Sequence, residues 1–243
     1  MEILGIDVGG TGIKGAIVNV ETGTLVTEKH RIPTPQGAKP MDVANVIGQL
    51  IKHFDWKGKI GCGFPSIISH GVAQSSGNID KSWRGTNVEA LFREHTGLEF
   101  KVGNDADAAG LAEVTFGAGK GKKGLVLMIT IGTGLGSGLF YNGSLIPNLE
   151  LGTLPYKKHK CIEHWAADSA RKRDKLSYPE WGKRFNKFLK IVNGLTSPDI
   201  IILGGGASKK LDRYEEQITI KTPVIAAQFQ NNAGIVGAAL IAK

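Results

Sequence analysis

The chain has 243 residues, enough to bury a real core in one large domain or two modest ones. It is 41% hydrophobic and 21% charged, the balance of an ordinary soluble globular protein, and its net charge of +8 favours anionic partners without choosing among them. Its 34 glycines, about twice the usual share, follow no repeating period, which excludes collagen-like and low-complexity chains.

Residues 2–8 (EILGIDV) read as a buried strand and 14–20 (KGAIVNV) as its hairpin partner. Residues 24–33 (TLVTEKHRIP) read as a third strand, closed by Pro33 and Pro35. Over 40–54, Val43, Val46, Ile47, Leu50, Ile51 and Phe54 recur at helical spacing, with Asp42 near the start. Residues 59–65 read as a strand ending in a turn, and 87–97 as a short helix closed by Gly97. A strand over 99–105 delivers Asn104 and Asp105 to a helix over 107–119. A second series follows, with strands at 124–132, 137–143 and 144–147 and a charged helical region over roughly 161–195. The chain closes with strands at 198–206 and 223–228 and a helix at 232–243. The alternation of strands and helices is that of an α/β protein.

Two glycine-rich hairpins echo each other, LGIDVGGTGIKGAIV (4–18) and LMITIGTGLGSGLFYNG (127–143). A gapless alignment sets Asp7 on Thr130, Gly9 on Gly132, Gly15 on Gly138 and Asn19 on Asn142. This pattern favours a structural duplication, and hence two similar α/β domains facing a cleft.

Glycine loops let successive backbone N–H groups approach phosphate oxygens without obstruction by Cβ. Three such loops each follow an apolar strand: Gly9, Gly10, Thr11 and Gly12 with Lys14 beyond; Thr130, Gly132, Thr133 and Gly134; and Gly204, Gly205 and Gly206. Together they favour phosphate binding over three tight turns. None is a Walker A motif, and the first loop returns to a strand rather than opening the helix of a dinucleotide fingerprint. Asp7, at a strand end, is placed to hold a phosphate-bound Mg²⁺ directly or through water. Asp105, between a strand and a helix, reads on spacing alone as an ordinary helix cap before a general base. Glu150 and Glu163 are either surface charges or acceptors for the paired hydroxyls of a polyol.

These segments resemble the ROK family of sugar kinases and sugar-responsive repressors, in the actin/hexokinase superfamily. The first hairpin resembles that family's first phosphate loop, VGNDADAAGLAE (102–113) its Asn-Asp catalytic segment, ITIGTGLGSGLFYNG (129–143) its second phosphate loop, and DIIILGGGASKK (199–210) its nucleotide-side loop. One branch, whose members use inorganic polyphosphate, is similar over 63–83, 176–189 and 222–240 as well. The resemblance covers nearly the whole chain. It implies two ribonuclease H-like domains flanking an active-site cleft. The expected boundaries are 1–105, completed by the C-terminal helix 231–243, and 106–230. It also implies phosphoryl transfer from polyphosphate, or from ATP, to the 6-hydroxyl of glucose. Asp105 would be the base; Asn104, Glu150 and Glu163 would grip sugar hydroxyls, with Asn78 and Asp80 near that pocket and Asp7 helping to place Mg²⁺. Relatives suggest a homodimer.

Two features depart from the family pattern. Many members carry Glu-x-Gly-His where this chain has Glu150-Leu151-Gly152-Thr153, which alters contacts at the sugar's anomeric end. The family's cysteine-rich zinc cluster is reduced to His159, Cys161 and His164, whose spacing is not that of a zinc site, so no zinc is expected. With only Cys62 and Cys161 there is no disulfide framework, and a reducing cytoplasm is expected. No apolar run nears the ~18 residues of a membrane span and no charged leader precedes one, so no membrane partner is expected.

Basic runs at 120–123, 157–160, 171–175, 183–187 and 208–210 fall in the second half. Each alone reads as a solvated face; gathered along one cleft they would hold a long phosphate chain. Few aromatics interleave with them and no recognition-helix domain precedes Met1, so no nucleic acid is expected. An ATP-only hexokinase and a non-catalytic sugar sensor stand as the alternatives.

Overall fold

Strand β1 (Glu2–Val8) buries Ile3, Leu4, Ile6 and Val8, and β2 (Ile13–Asn19) folds back on it with Ile13, Ala16 and Val18 inside. The computed structural model describes residues 1–77 and 79–243. β1 and β2 pair antiparallel over their full length, from Glu2 opposite Asn19 to Val8 opposite Ile13. The expected third strand is two short pieces, β3 (Thr24–Leu25) and β4 (His30–Ile32), both on the outer edge of β2. The break has a local cause: the Thr27 hydroxyl, rather than a ladder carbonyl, accepts the Ile17 N–H at 3.1 Å.

Helix α1 (Pro40–His53) starts with Pro40 at a position where a missing N–H costs nothing, carries Asp42 in its first turn, and buries Val43, Ala44, Val46, Ile47 and Leu50. It leads to β5 (Ile60–Phe64), which lies parallel to β1. A small hairpin of β6 (Ile68–Ser69) and β7 (Val72–Ala73) follows, then α2 (Val88–Thr96). Asn87 caps α2 and Gly97, at φ +75°, ends it. β8 (Phe100–Asn104) completes the sheet, parallel to β5. The order is β3-β2-β1-β5-β8, with β4 also on β2. α3 (Asp105–Phe116) begins directly at Asp105, two residues earlier than the sequence suggests.

The second sheet repeats the plan in the order β11-β10-β9-β12-β13, from β9 (Leu125–Ile131), β10 (Leu135–Tyr141), β11 (Ser144–Ile146), β12 (Ile200–Gly205) and β13 (Val224–Ala226). As with β2, β1 and β5, the strand β9 takes an antiparallel partner on one side and a parallel one on the other. The register corrects the gapless alignment. Val8 pairs with Ile13 but Ile131 pairs with Leu135, so the second turn is one residue shorter. By register Gly15 corresponds to Ser137 and Asn19 to Tyr141, not to Gly138 and Asn142. The glycine matches past the turn are therefore compositional.

The charged region becomes three helices, α4 (Glu163–Ala166), α5 (Asp168–Arg173) and α6 (Tyr178–Thr196). α6 opens with a reciprocal cap between Ser177 and Glu180 and buries Trp181, Phe185, Phe188, Leu189 and Val192 against its sheet. α7 (Ala233–Ile241) is apolar on every side and packs on β1 and β5; a Cβ on Gly61 would collide with the Ala238 carbonyl.

The chain divides into two compact units, Met1–Ala112 with Asn232–Lys243, and Glu113–Asn231. Inside the second, Glu113 is fully buried and its carboxylate accepts the N–H groups of Ala118, Gln228 and Phe229 at 2.9, 3.1 and 2.7 Å. Among the described residues no helix is long and apolar enough to cross a membrane.

Candidate active site

In the first unit, parallel pairing brings the candidate residues Asp7 and Asp105 to one end of the sheet. Asp7 lies opposite Gly63 on β5, and Gly63 lies opposite Gly103 on β8. With strands about 4.8 Å apart, Asp7 and the end of β8 are separated by roughly 10 Å. Gly63 lies against the start of α3, where a Cβ would make an ordinary contact 3.6 Å from the Asp105 Cα, and a Cβ on Gly234, at the start of α7, would overlap the Asp7 carboxylate.

Asp105 is half-buried as the first residue of α3, and its Oδ1 accepts the Ala106 N–H at 2.8 Å. Asn104 beside it is buried; its Oδ1 accepts from Ala106 and Asp107 at 2.8 and 3.1 Å, and its Nδ2 donates to the Ser66 carbonyl at 3.2 Å. Asn104 thus caps the helix and ties Asp105 to the segment after β5. Asp80 caps a short turn, accepting both the N–H and the hydroxyl of Ser82 through Oδ1, and these bonds hold its carboxyl below the usual range. Asn78 lies outside the described residues. Burial, with the Asp7 charge second, pushes the Cys62 thiol far up, so this thiol is not a nucleophile.

The first glycine loop is closed by the Gly9 N–H donating to the Gly12 carbonyl at 3.1 Å. Thr34 Oγ1 donates to the Gly9 carbonyl. The N–H groups of Gly10, Thr11 and Gly12 have no hydrogen-bond partner among the described residues. Lys14 Nζ lies 3.0 Å from Asp7 Oδ2. Sequence reasoning missed Arg31, whose Nη2 donates to the Thr11 carbonyl and whose guanidinium covers Gly12. The signal lay in the pairing of β4 with β2, which sets Arg31 opposite Lys14.

In the second unit the other two loops stand side by side: Thr130 pairs with Gly204, and Ile131 with Gly205. The Gly132 N–H closes its turn on the Gly134 carbonyl, and Ser169 fixes the turn through its N–H to Gly132 and its hydroxyl to Thr133. Gly206 begins a turn of 3-10 helix. Glu163 Oε2 accepts the Leu135 N–H at 3.1 Å, which binds α4 to that loop. Glu150 is half-buried, and the Thr153 hydroxyl donates to its carbonyl at 2.7 Å, so Thr153 is engaged locally.

Cys161, Glu163 and His164 bring one ligand atom each within 4.8 Å of one another, a group that does not include His159. Four of the basic side chains share two carboxylates: Arg171 and Lys172 hold Asp168, and Arg173 and Arg184 hold Asp174. Lys183, Lys187, Lys209 and Lys210 are exposed and have no ion pair among the described residues.

The comparisons with known proteins bear on this arrangement. The ROK family model matches residues 3–152, which contain β1 to β11 and both glycine hairpins. The chain belongs to the ROK family. It is 44% identical to the polyphosphate glucokinase of Mycobacterium tuberculosis, over 97% of this chain and 89% of that protein. The inorganic polyphosphate/ATP-glucomannokinase of Arthrobacter sp. strain KM superposes with a TM-score of 0.94 at 44% identity, covering 98% of this chain and 97% of that one. A ROK family glucokinase from Streptomyces griseus, solved with glucose and AMPPNP, shares the fold at TM-score 0.85 and 23% identity over 100% of this chain and 99% of that one.

Proposed function

We infer that this chain transfers the terminal phosphoryl group of inorganic polyphosphate, or of ATP, to the 6-hydroxyl of glucose. The observation that carries the inference is the register Asp7–Gly63–Gly103, with Asp105 two residues on, in a chain 44% identical to enzymes named for that reaction. A carboxylate and a loop whose amides have no partner among the described residues share one end of a sheet, which is what phosphoryl transfer asks of a protein.

Asp105 accepts the proton of the sugar hydroxyl as its oxygen bonds to phosphorus. The bond between that phosphorus and the bridging oxygen breaks, and its electron pair leaves with the shortened donor. Gly10, Thr11 and Gly12 offer their amides to phosphate oxygens, with Lys14 beside them; in the second unit Thr130, Thr133, Gly134 and Gly204–Gly206 are assigned to the donor. Asn104, Glu150 and Glu163 are assigned to sugar hydroxyls, and Asp80 is assigned to the same ligand.

The residues fit a magnesium ion. Asp7 is a hard oxygen donor, half-buried, and the bare Gly234 gives its carboxylate room at the strand end. When bound there, the ion neutralises charge developing on the transferring group. Asp7 would hold it directly or through water.

We further place the protein in the cytoplasm as a homodimer, which size-exclusion chromatography with light scattering tests. The test of the activity is the initial rate of glucose 6-phosphate formation with polyphosphate and with ATP. Turnover with polyphosphate is expected; turnover with ATP alone would make the chain an ATP-only hexokinase, and none with either donor would leave a sugar sensor.

A further inference from the structure

Three strands present a row of charges on one face: Asp7 on β1, Lys14 directly opposite on β2, and Arg31 directly opposite Lys14 on β4. The first two neutralise each other at 3.0 Å. Arg31 is exposed and has no carboxylate partner among the described residues. It is nonetheless held in place. Nη2 donates to the Thr11 carbonyl, and the guanidinium lies so close over Gly12 that any side chain there would strike its Nε, Cζ and Nη2. Gly12 is buried under it although it belongs to a surface loop.

A guanidinium hydrogen-bonded to a loop whose amides have no partner among the described residues adds a positive charge to that loop. One N–H is engaged with Thr11 and the others have no partner among the described residues.

We propose that Arg31 is a donor-binding residue, clamping a phosphate of bound polyphosphate next to the one held by Gly10–Gly12. The planar fork matches two phosphate oxygens at once, which a lysine cannot do. The inference rests on the phosphotransfer reading above, and the experiment separates the two.

Polyphosphate binding to the whole protein without glucose is measured by calorimetry, and turnover is measured in parallel across a range of NaCl concentrations. Arg31→Ala is expected to weaken polyphosphate binding and raise its KM about 10- to 100-fold, the usual worth of a charge-assisted pair. Its kcat should stay within about threefold and its glucose KM within about twofold of wild type. The slope of log(kcat/KM) against log[NaCl] should flatten by about 0.7–0.9, one phosphate contact's worth of counterions. Arg31→Lys should restore the slope but only part of the affinity. Equal polyphosphate binding by wild type and Arg31→Ala would overturn the proposal even if the enzyme turns over polyphosphate. So would a fall in kcat with KM and salt slope unchanged, which marks a residue that only shapes the loop. If wild type binds polyphosphate through Arg31 without turning it over, the proposal stands and the phosphotransfer reading fails.

Discussion

Gly234, at the first turn of α7, lies against Asp7, at the end of β1, so closely that a methyl group on the glycine would overlap the aspartate's carboxylate. The two are separated by more than two hundred residues and meet because α7 returns to pack on β1 and β5.

That contact makes Gly234→Ala a probe of the Asp7 site. The added methyl should turn the carboxylate away from the position it shares with Lys14. We predict that the Mg²⁺ concentration for half-maximal rate rises severalfold in Gly234→Ala and more in Asp7→Asn, because a hard cation loses its charged oxygen donor. A Mg²⁺ titration of the rate checks this. An unchanged midpoint in Asp7→Asn would remove Asp7 from metal binding.

Asn104 connects stability to chemistry. Its side chain holds two amides at the start of α3 and the Ser66 carbonyl. Asn104→Ala should destabilise the fold by about 1–2 kcal/mol, the upper range for a lost cap, in denaturant unfolding. It should also lower kcat by more than it raises the polyphosphate KM, since Asp105 loses its anchor. Full activity with reduced stability would make Asn104 a cap only.

Much of this was legible in the sequence because apolar strands ending in glycine or acid announce themselves locally. β1, β5, β8, α1 and the second hairpin fall within a residue or two of their expected bounds. What failed depended on partners distant in the chain. The segment 24–33 has strand-like composition, but the Thr27 hydroxyl replaces a ladder acceptor and splits it. The one-residue shortening of the second turn was hidden because glycine is abundant enough to match in either register. Arg31 sits in that broken strand, and only its pairing opposite Lys14 reveals it. Asp80 was read through family resemblance as a sugar neighbour, while the fold also gives it a capping role with Ser82.

Asp174 offers a pH signature. Hydrogen bonds from Arg173 and then Arg184 depress its pKa to about 2. A carboxylate whose folded pKa lies below its unfolded value stabilises above the unfolded pKa, and that contribution is lost as pH falls toward the folded one. The stability difference between wild type and Asp174→Asn should therefore be constant above about pH 5 and shrink between about pH 4 and 2. The cluster is in part exposed to solvent, so the difference should also shrink in high salt. Acid titration of thermal unfolding at two salt concentrations reads both effects. A difference that persists undiminished at pH 2 would contradict the pairing.

The most direct measurement is kcat for Asp105→Asn with polyphosphate and saturating glucose, alongside glucose affinity by calorimetry. If Asp105 takes the hydroxyl proton, kcat falls roughly 10²–10⁴-fold while glucose still binds within severalfold of wild type. A variant that binds glucose and keeps more than about a tenth of the wild-type kcat would contradict that role, given what a positioned base ordinarily contributes.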